Sequence, residues 1–146
     1  MRHTVLILVL AVGCASSPPK PRRIAIELYE LRAQGQRTAV LGPHNYVVRL
    51  RNTSDQPFTV QSVQLEPAGT SDLEVQGGLD TSQWLLEPGQ TTDVSMATTI
   101  TSTRGFNAAR QGMPDASSLR VTVSCSSESG NFYESDTQYV SPLRSY

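Results

Sequence analysis

Cysteine and histidine are scarce in this chain of 146 residues, with two of each, and one of the histidines, His3, stands at its very start. Structural zinc sites gather four thiolate or imidazole ligands, and no H-E-x-x-H or paired-cysteine spacing occurs here, so neither a metal nor any other cofactor is expected. His44 is the imidazole left to act as a base near neutral pH, and no Gly-x-Ser-x-Gly elbow accompanies it. Gly77-Gly78 is followed by neither lysine nor a helical pattern, which excludes a phosphate-binding loop. Lysine occurs once, as Lys20, and the arginines are scattered rather than clustered. With a formal charge of −1, nothing draws the chain to nucleic acid. Helical periodicity is absent over most of the chain, the exception being a single turn expected over Phe106 to Gln111.

The longest apolar stretch runs from Thr4 to Gly13 and contains Leu6, Ile7, Leu8, Val9 and Leu10. It falls short of the about 20 residues a membrane-spanning helix needs, but with Arg2 and His3 before it, it has the form of a signal peptide. The stretch closes in Ala11-Val12-Gly13-Cys14 and turns polar at once with Ala15-Ser16-Ser17. These residues resemble the lipobox of bacterial lipoproteins, with Ala11 where leucine is usual. The resemblance implies a signal peptide over 1–13, acylation of Cys14, anchoring to a membrane through that lipid and, with Ala15 rather than aspartate after the cysteine, an outer-membrane location in a Gram-negative envelope. Residues 15–23, Ala-Ser-Ser-Pro-Pro-Lys-Pro-Arg-Arg, read as an extended tether.

From Ile24 onward the apolar residues recur with period two, interrupted by segments rich in Gly, Pro, Asn, Asp and Ser. Ile24, Ile26 and Leu28 share one face, as do Tyr46, Val48 and Leu50, with Arg49 and Arg51 opposite. The parity changes between Phe58-x-Val60 and Val63-x-Leu65, which predicts a β-bulge. Further strands are expected at Leu73–Val75, Gln83–Leu86, Thr92–Ile100, Leu119–Cys125 and Phe132–Val140, the last two joined as a hairpin through residues 126–131. Loops are expected around Gly35 and Gly42-Pro43, with His44 an exposed turn residue. Short strands at this spacing specify an all-β sandwich or barrel over residues 24–146.

Two segments narrow that choice: Asn52-Thr53-Ser54 within a polar turn before Pro57, and Glu87-Pro88-Gly89-Gln90 before a strand. Together they resemble bacterial immunoglobulin-like sandwich domains, and they imply an antiparallel sandwich of seven or eight strands without the disulfide of antibody domains.

Cys125 shares parity with Leu119, Val121 and Val123 and is expected to be a buried, inert thiol; a disulfide to Cys14 or to another protein is the alternative. Glu66, Glu74, Glu87, Asp93, Glu134 and Asp136 are read as solvated strand-face carboxylates. Residues 102–118 exceed the about 12–15 residues above which structureless loops become uncommon. Arg104 and Arg110 beside Phe106 and Met113 make this segment the expected contact surface. The function these readings imply is a non-enzymatic, lipid-anchored envelope protein whose domain binds or braces another envelope protein. A small hydrolase or a polysaccharide-binding module, working through exposed carboxylates and aromatics such as Trp84, is the alternative.

Overall fold

The computed structural model describes residues 21–31, 41–68, 73–102, 118–139 and 141–142. The signal segment, Cys14, the contact residues Arg104, Phe106, Arg110 and Met113, and the turn expected at 106–111 lie outside the described residues. The strands are β1 (Ile24–Leu31), β2 (Gly42–Asn52), β3 (Phe58–Pro67), β4 (Leu73–Gln76), β5 (Leu79–Asp80), β6 (Trp84–Leu86), β7 (Thr91–Ser102), β8 (Ser118–Ser127), β9 (Gly130–Tyr139) and β10 (Ser141–Pro142).

They form two sheets, one ordered β10-β1-β2-β7-β4 and the other β5-β3-β8-β9, with β6 also on β3. Pairing is antiparallel except for the short parallel pair of β1 with β10. Four strands, β1-β2-β7-β4, opposed to three, β3-β8-β9, reproduce the strand order of an immunoglobulin constant-type sandwich. The domain differs from that plan after β3, where the chain visits the first sheet as β4 before returning to β3 as β5 and β6.

The period-two pattern explains the core. In β1 the burial alternates from Ile24 through Ile26, Leu28 and Glu30, and in β7 through Val94, Met96, Thr98 and Ile100. Tyr46, Val48 and Leu50 of β2 meet Leu119, Val121, Val123 and Cys125 of β8 in one apolar cluster. Each fully buried aliphatic side chain there contributes about 1.5–3 kcal/mol relative to exposure. The register of β3 against β8 shifts between Val60 and Ser62, which restores Val63 and Leu65 to the interior as the parity change requires.

The two turns that carry the immunoglobulin likeness meet at one side chain. Asn52 is fully buried, and its Nδ2 donates to the carbonyls of Gln56 (2.9 Å) and Leu86 (3.0 Å), while its Oδ1 accepts from the amide (2.9 Å) and the hydroxyl (2.7 Å) of Ser54. All four hydrogen-bonding positions of the amide are thereby used. The Asn52 backbone completes the knot, donating to Gln90 and accepting from Gly89 at 3.0 Å each. Gly89 sits at φ +76°, a conformation that costs glycine nothing.

One long side of the sandwich is closed by side chains of β9 acting on the backbone of β1. Glu134 accepts from the amides of Arg23 and Ile24, and Gln138 accepts from the Leu28 amide (2.9 Å) and donates to the Ile26 carbonyl. Alternate backbone groups of β1 on the side away from β2 thus acquire partners, and β10 continues that edge at Tyr29 and Glu30. The expected tether is engaged at its end as well: Arg22 pairs with Asp136 at 2.7 Å, and Thr53 donates to the carbonyls of Arg22 and Arg23.

Three expectations are corrected. Gly42 and Pro43 belong to β2, in register with Ile100 and Thr99 of the long strand β7, rather than to a loop. Proline is tolerated because β1 reaches only Asn45, so that among the described residues β2 has one neighbour at this point. His44 is consequently a strand residue with its side chain 10% exposed, not an exposed turn residue. Trp84 packs against the core instead of standing free. The two-residue strands β5 and β10 were not foreseen, being too short to show a period.

Candidate binding groove

An open groove of about 660 Å³ lies on the outer face of the first sheet, lined by Ala25 and Glu27 of β1, Arg49 and Arg51 of β2, and Thr91, Thr92 and Asp93 of β7. Strand register makes it. Glu27, Arg49 and Asp93 form one row across the three strands, and Ala25, Arg51 and Thr91 form the next. Because Ala25 and Thr91 are short, the second row is a depression beside the larger side chains of the first.

The first row is a built wall. Arg49 holds Asp93 through two parallel bonds of 2.9 Å, from Nε to Oδ1 and from Nη2 to Oδ2, and its guanidinium lies 5.3 Å from the centre of the Tyr29 ring. The Tyr29 hydroxyl donates to Glu27. The bond from Arg49 draws the Asp93 carboxyl below its usual range, and the same bond raises Arg49 further above its own. The Tyr29 hydroxyl is raised, chiefly by its bond to Glu27. Val47, the cross-strand neighbour of Tyr29, is only 8% exposed although it alternates with the core residues Tyr46 and Val48. In the second row, the Arg51 guanidinium is exposed and has neither hydrogen bond nor ion pair among the described residues.

A second polar cluster lies inside one end of the sandwich. His44 Nδ1 is 2.8 Å from Glu30 Oε1, with the two side chains 10% and 9% exposed. The His44 ring stacks on Tyr46 with a centroid distance of 5.7 Å, and the Thr98 hydroxyl donates to the His44 carbonyl. Both groups belong to the inward-facing series of their strands, so an imidazole and a carboxylate occupy positions that would otherwise be apolar.

Of the carboxylates read as solvated, three have structural roles: Asp93 on Arg49, Asp136 on Arg22, and Glu134 on the start of β1. For Asp136, burial, which raises the carboxyl, is outweighed by hydrogen bonds from Arg22 and Gln138, and the group falls below its usual range. Cys125 is fully buried and free, and burial, reinforced by the Glu134 charge, pushes its thiol up to about 12. Such a thiol is protonated at neutral pH and is a poor nucleophile. Among the described residues, no group of three or more His, Cys, Asp or Glu is placed to hold a metal ion. The groove was not legible in advance. Arg49 and Arg51 were recognised as the outward residues of β2, but only the pairing of β1, β2 and β7 sets them in rows.

No family model matches the chain, and no curated protein resembles it in sequence. Among solved structures, a Bordetella pertussis protein given the name ApaA aligns over 88% of this chain and all of its own, at 18% identity and a TM-score of 0.49. A FixG-related protein from Vibrio parahaemolyticus aligns over 84% of this chain and 99% of its own, at 15% identity and a TM-score of 0.41. The apo PCuAC domain from PmoF1 aligns over 83% and 95%, at 14% identity and a TM-score of 0.41. At such identities no residue role carries over. The class of protein to which this chain belongs, a small immunoglobulin-like β-sandwich, follows from its strand order.

Proposed function

We propose that this chain is a lipid-anchored, non-enzymatic binding domain of the cell envelope, attached through Cys14 to the outer membrane and using the groove between β1, β2 and β7 to contact another envelope protein. The observation that carries the binding reading is the groove itself: a concave surface whose wall side chains are held by one another while the Arg51 guanidinium beside them has no partner among the described residues. The lipobox-like residues Ala11 to Ser17 support the anchor. Burial of His44 and Cys125, the two side chains among the described residues most suited to nucleophilic or base catalysis near neutral pH, favours binding over turnover.

Metabolic labelling with a palmitate analogue tests the anchor, marking the wild type and not Cys14→Ser; mature protein with an unmodified Cys14 refutes it. A photocross-linking residue at Thr91 tests the groove, with one at Tyr133 on the other sheet as the reference. The groove is the contact surface if the same envelope protein is joined at Thr91 and not at Tyr133.

A polysaccharide-binding reading has one observation in its favour. Tyr133 is 77% exposed, directly across from Ser124 on a strand face that also carries Thr122 and Ser135. An exposed ring among hydroxyls suits a neutral sugar, and depletion by insoluble glycan that Tyr133→Ala abolishes would establish it.

A further inference from the structure

We infer that the groove binds a carboxylate presented by a partner protein, and that Arg51 is the residue that receives it. This rests on the groove being the contact surface, and it adds the chemistry of what enters.

The assignment follows from which charges are already spent. Nε and Nη2 of Arg49 both bond Asp93, so this arginine offers little to an arriving anion. Glu27 and Asp93 flank Arg49 on either side in the same row, and both repel a carboxylate there. In the adjacent row, Arg51 stands between Ala25 and Thr91, neither of which is charged, and has no partner among the described residues. The planar guanidinium suits two-point binding of a carboxylate, and the Thr91 hydroxyl, its neighbour across the strands, supplies a further donor. An anion is therefore repelled from one row and attracted to the next, which fixes the direction in which a ligand lies along β2.

The test uses the full-length chain in detergent micelles, titrated with the blocked peptide N-acetyl-Gly-Glu-Gly-amide or its glutamine counterpart and followed by nuclear magnetic resonance. The glutamate peptide is expected to shift the Arg51 Nε–H signal and the backbone amides of Ala25 and Thr91, while the glutamine peptide leaves them in place. Arg51→Gln is expected to weaken the response at Ala25 and Thr91 by about tenfold or more, with its amide dispersion showing a retained fold. Equal shifts with both peptides, no shift with either, or an undiminished response in Arg51→Gln overturns the inference. The Thr91 cross-link separates the two levels of failure. If it persists unchanged in Arg51→Gln, the groove still binds a protein but not through a carboxylate on Arg51; if the wild type gives no Thr91 cross-link, the groove reading itself falls.

Discussion

A buried asparagine decides more about this domain than any single core methyl. The side chain of Asn52 satisfies Gln56, Ser54 and Leu86 together, and its backbone holds the Glu87–Gln90 turn. Asn52→Ala would leave the Leu86 carbonyl and the Ser54 amide without these partners, and each buried polar group so orphaned costs about 1–3 kcal/mol. The expected loss is roughly 3 kcal/mol, read from the midpoint of urea unfolding, and a loss below about 1 kcal/mol would show that water replaces the amide. The sequence marked Asn52 as part of a turn, yet gave no sign of its burial. That depends on Leu86, which is distant along the chain and reaches Asn52 only because β6 pairs with β3.

At the scale of elements, the unusual feature is how β1 is finished. An edge strand exposes alternate amides and carbonyls to pairing with other chains, and here Glu134 and Gln138 of β9 occupy several of them. Gln138→Ala removes the partners of the Leu28 amide and the Ile26 carbonyl at once. We expect it to cost about 1–3 kcal/mol and to speed amide hydrogen exchange at Leu28 selectively, leaving the β8 amides paired to β3 protected. Exchange that accelerates equally in β1 and β8 would mean that the closure is global rather than local. Most strands were legible as periodic runs because each buries one face, and the change of parity in β3 foretold its bulge. β5 and β10 were not, since two residues cannot establish a period. The start of β2 was hidden by Gly42-Pro43, a turn signal overridden by ten residues of register with β7.

For the molecule as a whole, the free thiol offers a measure of global stability against pH. The ordinary value for a cysteine thiol, which the unfolded chain restores to Cys125, is 9.0, and burial pushes it up to about 12 in the folded domain. A raised pKa contributes stability that is complete below about pH 9 and is lost as pH rises toward 12, because the unfolded chain releases the proton first. The wild type should therefore lose stability faster than Cys125→Ala between those values, whereas at neutral pH the alanine variant should be the weaker by on the order of 1 kcal/mol. Parallel alkaline unfolding curves would contradict this, as would rapid reaction of the native domain lacking Cys14 with a thiol reagent. The buried pair of His44 and Glu30 belongs to the same scale, because it forms only where β1 and β2 lie side by side with both residues in their inward-facing series. As a sequence pattern, His44 beside Gly42-Pro43 read as an exposed turn.

What the sequence determined by itself is the set of local alternations: which residues of each strand face inward, where β3 must bulge, that Cys125 is buried, and that strands rather than helices build the domain. These follow from the two-residue period of an extended chain, a property of neighbours. Apart from the β8–β9 hairpin, which the turn residues between them announced, which strand lies beside which was decided only by the tertiary structure, and with it the rows Glu27-Arg49-Asp93 and Ala25-Arg51-Thr91, the closure of β1 by β9, and the meeting of two turns at Asn52. Cross-strand contacts join residues far apart along the chain, and their register comes from the packing of two whole sheets, so no local window contains the information that places Arg51 in a groove.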